Sequence, residues 1–338
     1  MKILSYRNSI NNNRRWALFA AYGCLILFVI FFLFPPYYML ITSLKTNKEI
    51  AELSSNPWLI KQGLTFEHYK YLFTETPFLT FFKNTIIVTI SVVIITMVIS
   101  VLAAYSLSRL RFWGSGVLAT GIFLTYLVPD TLLFIPLFKI VGWLGLLNSY
   151  WVLVLVYPTL SVPFCTWLMI GYFSSIPKEI DEAALIDGAN HMQMLLKVFI
   201  PVAMPGLIAA TIFAFTVSWA GFLYPLAFIY SESEMVLTVG TVTTLIKGDV
   251  FHWGGLMAGA LLAAAPPVIV SAVVARAPVP PTIVSSPSPP EIVSPALPPA
   301  LSSGRAPRLL LPHRHLAPEG ARRQPRLGHP RGTPQGAG

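Results

Sequence analysis

Apolar residues gather in six long stretches separated by segments richer in charge, at about 17–41, 84–107, 113–129 with an apolar continuation, 150–172, 205–229 and 254–275. A helix rises about 1.5 Å per residue and the hydrocarbon core of a bilayer is roughly 30 Å thick, so about 20 apolar residues cross it. The pattern predicts an all-α membrane protein with six transmembrane helices. Arg14 and Arg15 precede the first stretch much as basic residues precede a secretory signal. The apolar run outlasts a signal's core of about 15 residues, however, and no small-x-small cleavage site follows, which predicts an uncleaved first span.

The third stretch is too long for one span and holds Asp130 and Lys139. From Trp113, about 17 helical residues climb roughly 25 Å and reach Pro129 near the far interface. Residues 131–147 are then expected as a second, interfacial helix, interrupted by Pro136 and ended by Gly142 and Gly145. At that depth Asp130 lies at the surface, which makes a proton-relay role for its carboxylate the weaker reading. Lys and Arg in short loops mark the cytoplasmic side. Lys2, Arg7, Arg14 and Arg15, then Arg109 and Arg111, then Lys178 and Lys197 stand in alternate segments. The opposite set holds Lys45, Lys48, Lys61 and Lys70 diluted by Glu49, Glu52, Glu67 and Glu75, and Lys247 alone. A multi-pass protein of the cell (inner or plasma) membrane with both termini cytoplasmic is expected.

Composition sharpens this picture. The 338 residues are 55% hydrophobic and 11% charged, against about 25% charged in a soluble domain, which excludes an ordinary soluble protein. The formal net charge is +9, but residues 276–338 carry eight Arg and two acids, leaving 15 basic and 12 acidic side chains before them. The basic balance therefore does not point to nucleic acid. Cys24 and Cys165 sit inside apolar runs, so there is no disulfide framework and no cysteine metal site. His68, His191 and His252 are scattered without a partner at metal-ligand spacing, and no metal is assigned.

Acidic residues of the expected cytoplasmic side concentrate between Ser174 and Gly188. Ser175 is suited to cap a helix, Pro177 to its first turn, and Glu179, Asp181 and Glu182 to the positive end of its dipole. Ile180, Ala183, Ala184 and Asp187 recur at three or four residues, giving a small, smooth face that ends at Gly188, where the chain can turn with φ > 0. A second helical stretch, 189–198, ends before Pro201 and Pro205. Such a helix-turn-helix is either a docking surface or a connector, and a connector needs no Glu-Ala-Ala and tolerates a shorter turn.

Glu182-Ala183-Ala184, three residues, Gly188, nine residues, then Val198-Phe199-Ile200-Pro201 resembles the EAA signature of binding-protein-dependent ABC importer permeases, with conservative departures at Val198 and Ile200. Further blocks are similar to the carbohydrate-importing, MalG-like branch: Asn84-Thr85, the run from Ala103 to Phe112, Ile135 to Phe138, Leu144 to Trp151, Ser175 to Glu179, Ser218-Trp219 and Phe222 to Leu226. The resemblance covers residues 15 to about 272. It implies a MetI-like permease fold and a transport subunit that is not itself an enzyme. It further implies a second homologous permease, a cytosolic ABC ATPase dimer holding ATP and Mg, and an extracytoplasmic solute-binding protein, with lipid around the spans. Residues 174–204 would form the coupling segment, with Glu182, Ala183, Ala184, Asp187, Gly188 and Pro201 meeting or shaping the ATPase contact. The chain carries no G-x-x-x-x-G-K-[ST] phosphate loop of its own. The implied cargo is a sugar or oligosaccharide. The alternatives are a polyol or glycerol phosphodiester, or an ion-coupled secondary transporter, which would show paired intramembrane charges and internal repeats.

Ser218, Trp219 and Tyr224 are candidates for the translocation path, since hydroxyls and aromatic faces suit a sugar, with packing and interfacial anchoring the commoner use of such residues. Gly255, Gly259 and Ala263, spaced by four, predict close helix packing, and Pro266 and Pro267 a kink. The chain thus divides into a cytoplasmic N-terminus (1–15), a six-span permease domain (16–275) and a tail (276–338). The tail holds 15 of the 29 prolines and no Lys, Asp, Phe, Tyr or Trp, a composition expected to be disordered and to arise from an out-of-frame end or a Pro/Arg-rich interaction segment.

Overall fold

The computed structural model describes residues 2–276 other than Arg111 and Asp249, with side chains from Trp16 onward except those of Val250 and Ala275. The expectations for the tail, residues 277–338, lie outside the described residues. In chain order the helices are α1 (Lys2–Leu44), α2 (Asn47–Ala51), α3 (Glu67–Thr74), α4 (Phe78–Arg109), α5 (Ser115–Tyr126), α6 (Asp130–Trp143), α7 (Trp151–Ser175), α8 (Lys178–Ile186), α9 (His191–Met194), α10 (Ile200–Val202), α11 (Met204–Trp219), α12 (Leu223–Phe228), α13 (Leu237–Leu245) and α14 (Trp253–Ala275). A two-residue hairpin pairs Ile246 with Phe251 and Lys247 with Val250.

Among the described residues, five helices are long and apolar enough to cross a membrane: Trp16–Leu44, Phe78–Arg109, Trp151–Ser175, Met204–Phe228 and Trp253–Val274. The third predicted stretch is the bent pair α5 and α6, which meet at 96°. The bend falls at Leu127-Val128-Pro129, where Pro129 cannot continue the ladder, and Asp130 starts α6 exposed on the surface. One expectation fails: Pro136 does not interrupt α6 but lies within it.

Burial in α4 is inverted relative to a soluble helix. Thr85, Thr89, Thr96 and Ser100 are buried, while Ile90, Ile94, Val98 and Leu102 form an exposed row. A lipid-facing surface needs no polar cover, and interhelical faces favour small and hydroxylated residues. Val88, Val92, Thr96, Ser100 and Ala104 form a buried every-fourth-residue row on α4, and Tyr157, Ser161, Cys165, Met169 and Phe173 form its counterpart on α7. The two helices pack extensively, ridge against groove, and Thr96 Oγ1 meets Ser161 Oγ at 2.7 Å.

α11 closes on both, and α14 lies against α1, α3, α11 and α13. The glycine spacing on α14 acts inside the chain: a Cβ on Gly259 would stand 2.6 Å from Thr241 of α13. α14 runs on through Pro266 and Pro267. Pro267 brings no N–H to the carbonyl of Ala263, and the indole Nε1 of Trp219 donates to that oxygen at 2.9 Å. Outside the spans, Glu49 is buried and accepts from the backbone N–H groups of Lys61 (2.9 Å) and Gln62 (3.1 Å), with the Lys45 ammonium 3.7 Å away.

Candidate functional site

The segment singled out by its acids forms where α7 ends. The hydroxyl of Ser175 donates to the carbonyl of Tyr172 at 2.7 Å and closes α7, so Ser175 does not cap α8 as expected. Pro177 holds the cap position with no side-chain bond, and Glu179 and Asp181 in the first turn face the helix's positive end. Gly188, at φ +77°, ends α8. Its N–H bonds to Leu185 O and that of Ala189 to Ala184 O, each at 3.0 Å, the paired bonds of a Schellman turn. Asn190 and Gln193 then exchange backbone and side-chain hydrogen bonds at 2.8 and 3.0 Å in a capping box that starts α9.

From Leu195 to Phe199 the helix widens to a π turn, with Ile200 N–H donating to Leu195 O. Pro201 is the cause that follows from the covalent structure: it has no N–H for Lys197 O, and its ring crowds that carbonyl in a regular helix. The helix breaks only at Ala203, after which α11 begins with Pro205 in its first turn.

The predicted small face of α8 splits in two. Ile180 and Ala184 pack inward against a core that includes Tyr105, Phe173, Met194 and Phe199. Glu179, Glu182, Ala183 and Ile186 lie on the outer side, at the i, i+3, i+4, i+7 spacing of one helical face, with Leu185 and Asp187 also exposed. Ile186 is 86% exposed, an apolar side chain at the rim of two carboxylates. Pro201 is exposed within the continuing helix, outside α8.

Arg109, read from the sequence only as a marker of orientation, is the centre of this region. Its Nη1 donates to Asp181 Oδ2 at 3.2 Å, and its Nη2 donates to the carbonyls of Phe173 and, at 2.6 Å, of Ile176. The guanidinium lies over the Phe199 ring, 4.7 Å from its centre. The last turn of α4, the end of α7, the first turn of α8 and the π turn thus meet on one side chain. A cavity of about 230 Å³ beside it is lined by Ser108, Arg109, Lys178, Asp181 and Glu182. The signal in the sequence was an arginine closing a span on the same side as a cluster of acids. Nothing in the spacing distinguished Asp181 from Glu179, Glu182 or Asp187 as its partner.

Ser218, Trp219 and Tyr224 are buried in the single chain. Ser218 Oγ donates to Ala214 O at 2.8 Å, Trp219 Nε1 to Ala263 O, and Tyr224 Oη to Asp130 O at 2.8 Å. Their polar groups are engaged by backbone, and Tyr224 ties the start of α6 to α12. His68 is seated against Gly254 and bonds Lys45 O, His191 meets Tyr105, and His252 stacks on Tyr71. His68 and His252 line one cavity where α3 meets the start of α14, and His191 lies apart from them.

Residues 96–280 match the family described as binding-protein-dependent transport system inner membrane component. The chain is 36% identical over 267 residues to the inner membrane ABC transporter permease protein YcjP of Escherichia coli (strain K12), a match spanning 78% of this chain and 94% of that one. It is 36% identical over 237 residues to the sulfoquinovosyl glycerol transport system permease protein SmoH of Agrobacterium fabrum (strain C58 / ATCC 33970), spanning 69% and 81%. A chain in the crystal structure of a bacterial ABC transporter involved in the import of the acidic polysaccharide alginate superposes with a TM-score of 0.66 at 25% identity, over 77% of this chain and 96% of that one. The matched region takes in the end of α4, the Arg109 cluster, α8 and the π turn, and the chain belongs to this family of multi-pass membrane permease subunits of ABC importers.

Proposed function

We propose that this permease subunit carries a sugar or oligosaccharide, and that the outer face of α8 is where a cytosolic ATPase docks. The observation that carries the second part is the form of that face. Glu179 and Glu182 flank Ala183 and an almost fully exposed Ile186 on a helix stopped at both ends, by Pro177 and by the Schellman turn at Gly188. A helix so bounded moves as a body, and carboxylates around an apolar contact suit a basic-rimmed cleft. In this reading the Arg109 end of the bundle is cytoplasmic, as the Lys and Arg distribution favours, and both termini lie there. A pair of ATPase subunits binds ATP and Mg. Their closure pushes α8, and with it α4, α7 and α11, while a second homologous permease completes the pathway between the two bundles.

The segments at the opposite end, residues 42–80, α6 and 230–253, offer the surface for an extracytoplasmic binding protein, in keeping with a family described as binding-protein-dependent. The carbohydrate reading rests on the solutes named for its relatives, a glycoside and a polysaccharide, which favour it over a polyol. Native mass spectrometry of the tagged chain, extracted from its host in mild detergent, tests the assembly: an ATPase dimer and one further permease are expected with it. Recovery of the chain alone or as a homodimer at every detergent strength would overturn the proposal. Glu182→Lys should abolish ATPase recovery, and unchanged recovery would remove α8 from the interface.

A further inference from the structure

We infer that Arg109 is a positioning residue through which movement of α8 enters the spans, an inference that rests on the docking role proposed for α8. Four pieces of chain converge on its guanidinium: Asp181 on α8, the carbonyls of Phe173 and Ile176 where α7 ends, the ring of Phe199 in the π turn, and α4 itself, of which Arg109 is the last residue. α4 and α7 are the helices whose buried every-fourth-residue rows interlock along the bundle. The π turn leads through α10 to α11. A displacement of α8 that carries Asp181 therefore acts on all three through one planar cation.

The cluster is poorly arranged for stability alone. The Asp181 carboxylate makes one bond to Arg109, and Arg109 Nε and Asp181 Oδ1 are buried with no partner among the described residues. A buried ion pair left partly unsatisfied contributes little or nothing net to folding. What it does supply is direction, because a guanidinium holds acceptors on fixed sides of a plane and stacks on an aromatic face, which an ammonium cannot do. The adjoining cavity, lined by Lys178 and Glu182 as well as the pair, leaves space between the end of α4 and α8. Beside the packing of Ile180 and Ala184, the Arg109 side chain reaches across that gap.

Arg109→Lys tests this in the assembled complex, reconstituted in vesicles with its ATPase, partner permease and solute-loaded binding protein. The variant keeps the positive charge and leaves the outer face of α8 untouched, so it should assemble with the ATPase in wild-type stoichiometry. Solute carried per ATP hydrolysed, and stimulation of hydrolysis by the loaded binding protein, should each fall about fivefold or more, the lower end of typical coupling between sites. A residue needed only for structure would lower the yield of complex and leave the ratio measured on recovered complex unchanged, and that result would overturn the inference. Asp181→Asn, which retains volume and one acceptor, provides the same comparison if Arg109→Lys does not assemble. Failure of both to assemble would assign the cluster to folding and equally overturn it. Failure of the wild-type chain to recover an ATPase refutes the docking proposal instead, so the two outcomes are distinct.

Discussion

The bond from Trp219 to the carbonyl of Ala263 exists because Pro267 offers that carbonyl no N–H, and this dependence can be measured. In Trp219→Phe the aromatic contacts survive in kind, with the ring stacked on Phe215 at 5.3 Å and edge-on to Phe82 at 5.8 Å, while the donor at 2.9 Å is lost. An interhelical hydrogen bond within a membrane contributes about 0.6 kcal/mol on average and up to about 1.7, and a carbonyl left buried without a donor costs about 1–3. We expect Trp219→Phe to destabilise the chain by about 1.5 kcal/mol. In a Pro267→Ala background the alanine N–H reaches Ala263 O by the ordinary i to i−4 bond, so the same substitution should cost only the lost ring volume, about 0.5 kcal/mol. The interaction energy of the cycle is then about 1 kcal/mol. Unfolding of the four proteins in mixed micelles, followed by far-ultraviolet circular dichroism, supplies the values. Additivity within about 0.3 kcal/mol, the behaviour of independent sites, would refute the reasoning.

Four further outcomes are expected. Gly188→Ala has open space around its new Cβ but must adopt φ +77°, at a cost of about 1–2 kcal/mol; Gly188→Asn should be milder, and ATPase recovery by the two variants ranks them. In Gly206→Ala the Cβ would stand 2.4 Å from the Tyr172 ring, and overpacking should lower stability by about 1–3 kcal/mol in thermal unfolding, with Tyr172→Leu relieving it. Ser175→Ala, whose hydroxyl serves α7, should leave protease resistance of the 176–190 segment unchanged.

The pH outcome concerns Glu49. Burial pushes its carboxyl up, but the N–H groups of Lys61 and Gln62, the Lys45 ammonium and the Ser55 hydroxyl outweigh that and hold it below the ordinary value. The stability it contributes is present above the unfolded carboxylate's pKa and is lost as pH falls through the lowered one. Amide exchange at Lys61 and Gln62 should accelerate on acidification in the wild type and be fast and pH-insensitive, after correction for intrinsic rates, in Glu49→Gln.

Span positions were legible in the sequence because apolar length is set by bilayer thickness alone, and all six predicted stretches coincide with helices or the bent pair. What each helix faces was not legible. In α4 the exposed row Ile90, Ile94, Val98, Leu102 is more apolar than the buried Thr85, Thr89, Thr96 and Ser100, so the usual equation of apolar with buried is reversed. The acids of 174–188 identified α8, but which of its residues turn inward was not legible: Ile180 and Ala184 pack against the core, since small residues serve close packing as readily as docking. Ser175 looked like a cap for α8 and served α7, since a hydroxyl bonds the turn before it as easily as the one after. The role of Arg109 depends on a contact 72 residues away in the chain, beyond the reach of any local pattern.

The π turn at Leu195–Phe199 holds one more residue than an α-helix would need there. Removing one residue from it would let an ordinary α turn take its place with the chain on either side held nearly where it is, because a π turn fits one more residue into a single turn. Pro201 would then stand in a regular helix, its ring against the carbonyl four residues before it. The extra residue and the proline are thus two halves of one arrangement: each is tolerated inside the continuing helix because the other is present.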